Sequence, residues 1–164
     1  MASDMSRPME SLETSIDVDV PLRATYDQWT QFEDFPRFME GVTSVTQVDD
    51  SHLHWITEVA GRTKEWDAEI TRQLPDEEIA WVGLGAPDNR GRVVFDDLGG
   101  DRTKVTMMLD YEPEGAVEKI GDALGVVRRR VEGDMVRFKE FIEERGRQTG
   151  GWRGEIHAED EPGN

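Results

Sequence analysis

The side chains with chemistry to offer are few in this chain, and their spacing limits what they can do. His52 and His54 stand two apart in a stretch that alternates apolar and polar residues, so both imidazoles point to the same side. Two such rings make only part of a zinc shell, and the chain has no cysteine to complete it. No metal is expected. Tyr26 and Tyr111 are candidate acids or hydrogen-bond donors. Arg72, next in phase after Ile70, is a candidate for holding an oxyanion at a pocket mouth. No histidine falls on the apolar side of a predicted strand, and no serine–histidine–aspartate arrangement emerges. Gly83-Leu-Gly85 has Asp88 where a dinucleotide fingerprint needs its third glycine, and there is no phosphate loop, so no cofactor is expected. The missing cysteines also exclude thiol catalysis, disulfides and iron–sulfur clusters.

Composition narrows the class further. The 164 residues suit one domain with a real core. With 19 basic and 36 acidic residues the net charge is −17, which repels phosphate backbones and anionic bilayers. Neither nucleic acid nor an integral membrane position is expected. No apolar run is long enough to span a bilayer, and the first residues lack a secretory pattern, so a cytoplasmic location is expected. Only four of the basic residues are lysines. The acid excess fits an ordinary acidic surface more simply than adaptation to a salty interior. Arg128, Arg129 and Arg130 are consecutive on a predicted helix, so they point in different directions and make no single patch. Salt bridges to Asp122, Glu132 and Asp134 are their simplest role.

The elements that must position these groups follow from periodicity. Leu12, Thr14, Ile16, Val18 and Val20 alternate with polar residues, which marks a half-buried strand. Pro21 suits the first turn of a helix whose Leu22, Tyr26 and Trp29 share a face. Asp34 can cap a second short helix carrying Pro36, Phe38 and Met39, with Gly41 closing it. Six further strands are predicted, at 42–48, 53–60, 64–74, 79–84, 92–98 and 103–111, each ended by glycine, proline or aspartate turns. Val117, Ile120, Leu124, Val127, Val131, Met135, Phe138 and Ile142 then step by three and four, the mark of one long amphipathic helix ended by Gly146. The expected domain is 10–146, between a disordered lead-in, 1–9, and a flexible acidic tail, 147–164.

This order resembles the α+β helix-grip fold of the START-like superfamily: a seven-stranded antiparallel sheet curved around a long C-terminal helix, with two short helices after the first strand. The likeness is carried by Asp19-Val-Pro-Leu-Arg-Ala-Thr-Tyr-Asp-Gln-Trp, Phe32-Glu-Asp-Phe-Pro-Arg-Phe-Met, Glu65-Trp-Asp-Ala-Glu-Ile, Ile79-Ala-Trp and the helix from Val127 onward. Those segments look like the bacterial polyketide cyclase/dehydrase group, related to coenzyme Q-binding START proteins.

The resemblance implies an apolar cavity between sheet and helix. Its expected walls are Trp55, Trp66, Trp81, Phe95, Met107 and Tyr111 from one sheet face, and Trp29, Phe35 and Phe38 from the short helices. Ile120, Gly121 and Leu124 complete it from the last helix, where Gly121 and Gly125 either leave room for a guest or let helix and sheet approach. The expected function is binding or transport of a hydrophobic small molecule: a lipid, an isoprenoid or a polyketide-like compound. The alternatives are a polyketide aromatase/cyclase or dehydratase, and a protein-interaction module with a collapsed cavity. Trp152, isolated in the polar tail, is expected to dock either on its own domain or on a protein partner.

Overall fold

The computed structural model describes residues 10–59, 61–84, 89–111 and 123–157. The expectations for the lead-in 1–9, for Ile120 and Gly121, and for the side chains of Tyr111, Leu124 and Gly125 lie outside the described residues.

Strand β1 (Glu10–Val18) leads into helix α1 (Leu22–Trp29) and a 3-10 segment (Phe32–Arg37). Strands β2 (Val42–Asp49), β3 (His52–Val59), β4 (Arg62–Leu74), β5 (Glu78–Leu84), β6 (Asn89–Gly99) and β7 (Arg102–Tyr111) follow, and helix α2 (Ala123–Arg145) comes last. The seven strands form one antiparallel sheet in the order β1-β7-β6-β5-β4-β3-β2. Strands β2 to β7 are neighbours in chain order, and β1 pairs with β7 at the far edge. The helix-grip arrangement expected from the sequence is the one observed.

Alternation sends one side of each strand to the core. Leu12, Val18, Leu53, Ile70, Ile79, Val93 and Val105 are all at most 4% exposed. The apolar stripe of α2 lies over that face through Val131, Met135, Phe138 and Ile142. Helix α2 runs beside β1 and in the same direction. Arg128 donates to the Glu13 carbonyl, Lys139 to the Asp17 carbonyl, and the Glu143 carboxylate accepts from the Asp19 amide. Gly146 ends the helix in a left-handed conformation (φ 74°), its amide bonding back to the Ile142 carbonyl.

Two expectations need correction. The second short helix is a single 3-10 segment that starts before Asp34, so Asp34 sits inside it instead of capping it. Its carboxylate bonds Gln28 and Thr149. The expected tail, 147–164, is docked where it is described: residues 147–157 lie along α1 and the 3-10 segment as a strap, and 158–164 lie outside the described residues. The Thr149 amide donates to the Gln28 side chain at 2.9 Å, and the Trp152 amide donates to the Thr30 hydroxyl at 3.0 Å. Ile156 pairs with Gln73 through two backbone hydrogen bonds, adding a bridge beside β4. Arg153 holds the middle of the strap, reaching Asp27 at 2.5 Å and Asp76 at 2.7 Å.

Candidate ligand cavity

Two neighbouring cross-strand rows build the floor of an internal cavity. In the first, Leu12, Leu109, Gly91, Trp81 and Ile70 stand opposite one another across five strands. In the second, Met107, Val93, Ile79 and Gln73 do the same. Gly91 is the small residue of the first row. A Cβ there would overlap the Trp81 ring and crowd Leu109, so its absence makes room for the indole.

The cavity measures about 130 Å³ and is partly open to the surface. Its floor is Ile70, Ile79, Trp81, Val93, Met107 and Leu109, and Leu53 and Trp55 of β3 extend it. Trp29 of α1 closes one end, Phe32, Phe35 and Met39 close a side, and Val131, Asp134 and Met135 of α2 form the roof. The walls are therefore almost wholly apolar, with five aromatic rings and one carboxylate.

Asp134 is that carboxylate. It accepts a hydrogen bond from the Glu40 amide at 3.0 Å and pairs with Arg137. Burial raises its pKa above the ordinary carboxylate value, against the opposing pull of Arg137, the Glu40 amide and Arg130. It is the one titratable group among the described cavity walls.

The expected site residues divide clearly. Trp29, Phe35, Trp55, Trp81 and Met107 line the cavity. Phe38, Phe95 and Trp66 do not. Phe38 packs edge-on against Phe138 with centroids 5.2 Å apart, Phe95 packs on Tyr26 at 5.3 Å, and Trp66 lies parallel to Trp55 at 6.0 Å. Tyr26 is fully buried outside the cavity, beneath the strap, with the Arg153 guanidinium 5.5 Å from its ring centre. Burial pushes its pKa up to about 12, with the Gln73 amide pulling the other way, so it stays a neutral phenol.

Arg72 is a correction with a definite cause. A β-bulge between Ile70 and Arg72 shifts the register, so Ile70 pairs with Trp81 but Arg72 pairs with Ala80. The extra residue turns Arg72 to the outer face, where it meets Glu78 at 2.5 Å, and delivers Gln73 to the inner face instead. His52 and His54 also sit on the outer side. His52 meets Asp49 at 2.9 Å, while His54 lies between Asp67 at 2.7 Å and Glu65 at 3.2 Å. Hydrogen bonds to these carboxylates raise both imidazole pKa values. No group of three or more potential ligands for a metal ion occurs among the described residues.

The expected set omitted ten of the lining residues: Phe32, Met39, Leu53, Ile70, Ile79, Val93, Leu109, Val131, Asp134 and Met135. Asp134 adjoins the α2 stripe at a position that a purely apolar pattern skips, and an acidic residue flanking Met135 was its only signal. Phe32 lies in an irregular segment with no period to read.

The cavity between a curved sheet and a terminal helix can now be set beside known proteins. Residues 18–140 match the family described as polyketide cyclase/dehydrase and lipid transport. The chain belongs to that family. It is 51% identical over 149 residues to an uncharacterized 17.2 kDa protein of Streptomyces lincolnensis, covering 90% of this chain and 99% of the relative. Among solved structures, a Deinococcus radiodurans protein superposes with a TM-score of 0.64 at 25% identity, over 84% of this chain and 99% of that one. The Zhui aromatase/cyclase of a Streptomyces species gives a TM-score of 0.73 at 17% identity, over 88% of this chain and 99% of that one. The family match ends at residue 140, so the strap at 147–157 lies beyond it. No helix among the described residues is long and apolar enough to cross a membrane.

Proposed function

We propose that this protein binds a mainly apolar small molecule in the cavity between its sheet and α2, acting in the cytoplasm as a carrier of a lipid, isoprenoid or polyketide-like compound. The observation that carries this reading is the ring-lined space of about 130 Å³, partly open to the surface, in an otherwise packed core. Packed cores leave few voids larger than water, so an apolar space of this size is a place for a guest.

The volume also bounds the guest. An apolar cavity of about 150 Å³ takes up benzene, so the closed form fits one ring. Burying ~150 Å² of apolar surface at ~25 cal/mol per Å² gives ~4 kcal/mol before association costs, or millimolar binding at best. A guest held more tightly is larger than one ring and must displace part of the wall.

A second reading has its own support. Asp134 places a carboxyl with a raised pKa against the guest, which suits proton transfer in cyclase or dehydratase chemistry. Binding is common to both readings, so it is tested first. Titration with the neutral three-ring fluorophore N-phenyl-1-naphthylamine is expected to give saturable quenching of tryptophan emission. Val131→Phe, which fills the roof of the cavity, is expected to weaken it at least tenfold while the protein stays folded. Titration that never saturates, or equal binding by the filled variant, overturns the reading.

A further inference from the structure

We propose that residues 32–41 are a lid on the cavity and that the strap at 147–157 is the catch that holds it, so that guest uptake is controlled by release of the strap. The inference rests on the cavity being the binding site.

The cavity walls differ in what holds them. The floor is fixed by the backbone ladders that join β4 to β7, and the roof and the Trp29 end belong to regular helices. The remaining side is Phe32, Phe35 and Met39, set on a single 3-10 segment and the irregular residues after it. Those rings are at most 5% exposed, yet their backbone belongs to no ladder. A wall of this kind is the one that can move at least cost.

Side chains hold it at both ends. At the far end, helix α2 grips it: Arg137 donates to the Phe38 carbonyl at 3.0 Å, Arg130 donates to the Glu40 carbonyl at 3.2 Å, and Asp134 accepts from the Glu40 amide. Gly41, at φ 92°, follows as a joint in a conformation that glycine adopts freely. At the near end the strap takes over. The Thr149 hydroxyl donates to Asp34 at 2.5 Å, and the Gln28 amide donates to both Asp34 and Thr149 at 3.2 Å. The strap is itself anchored away from the lid, by Arg153 on Asp27 and Asp76 and by Ile156 on Gln73.

Outside the lid lies an open groove bordered by Glu33, Asp34, Asp49, Asp50 and Trp152. Three of the groove's carboxylates are partnered: Glu33 accepts from the Gln47 amide of β2 at 3.0 Å, Asp34 meets Arg37 at 3.7 Å and Asp49 meets His52 at 2.9 Å. The Gln47–Glu33 bond ties the lid to β2, and the Thr149–Asp34 bond ties it to the strap. Admission of a guest larger than one ring opens both, with the segment turning about Gly41.

The chain has no cysteine, so one introduced pair is unambiguous. The test uses the full chain with Asp34→Cys and Thr149→Cys together, bond formation being read by mass, and stopped-flow uptake of N-phenyl-1-naphthylamine. Loss of one charge-assisted hydrogen bond corresponds to roughly a tenfold change in rate. The oxidised protein is expected to take up the probe at least tenfold more slowly than wild type, and reduction is expected to restore fast uptake. Thr149→Val alone, which needs no bond formation, is expected to raise uptake and release together several-fold, leaving the dissociation constant within about twofold. An oxidised pair that takes up probe at the wild-type rate, or Thr149→Val with unchanged rates, overturns the lid while the cavity reading stands. Failure of every form, wild type included, to bind the probe overturns the cavity reading itself.

Discussion

The floor of the cavity and its strap-bound side are built by different physics. The floor comes from alternation: apart from the bulge after Ile70, each inward residue of β4 to β7 is two positions from the next, and backbone hydrogen bonds fix the register. The strap side depends on particular polar side chains, Gln28, Asp34, Thr149 and Arg153, meeting across more than a hundred residues of sequence. The floor is cooperative and tolerant of any single polar loss. The strap side is a short series of bonds, each of which matters to the next.

That contrast can be broken from either direction. The largest effect is expected where the packed regions meet. Phe138 is fully buried against Trp29 and Phe38. Phe138→Ala is expected to lose about 3–5 kcal/mol in urea unfolding, from lost burial and the void left behind. A loss below about 1 kcal/mol would mean that this core is much looser than it looks.

A smaller loss is expected on the strap side. Asp27 is 6% exposed at its side chain and Arg153 is 25% exposed. Arg153→Met leaves the Asp27 carboxylate buried without its cation, at a cost of about 2–3 kcal/mol, less than for a fully buried pair. The signature that sharpens the comparison is local: amide exchange is expected to accelerate at Thr149 and Trp152 and to stay slow in β6 and β7. Uniform acceleration would show that the strap and the sheet are one cooperative unit.

The smallest effect belongs to His54, on the outer face. Its folded-state pKa is raised above the ordinary imidazole value of 6.5 by hydrogen bonds to Asp67 and Glu65. The group favours folding fully below that unfolded value, and the contribution fades as pH rises through the folded one. Nuclear magnetic resonance titration is expected to place the His54 midpoint above 6.5, and Asp67→Asn is expected to lower it. A midpoint at or below the unfolded value would remove His54 from any account of pH dependence.

What the sequence disclosed follows the same division. Period-two alternation and the three–four stripe were enough to place all seven strands and the buried face of α2, because a repeating pattern is written many times over. The bulge after Ile70 defeated the same reasoning, since one inserted residue reverses every later side chain of β4 and nothing in the local residue types announces it. Trp29, Phe35, Trp55, Trp81 and Met107 were legible as cavity walls, whereas Phe38, Phe95 and Trp66 were indistinguishable from them by type. Which large ring faces a void and which fills the core is decided by neighbours far away in the chain. The docked strap was hidden for a related reason: its residues are polar, and their partners on α1 carry no periodic signal.

The pairing of Ile156 with Gln73 bears on how the molecule is made. Translation delivers every strand and both helices before residues 147–157 exist. Until the strap docks, Asp27 lacks its Arg153 partner and β4 lacks its bridge at Gln73. Any change made close behind Ile156 therefore acts on that docking before it acts on the sheet.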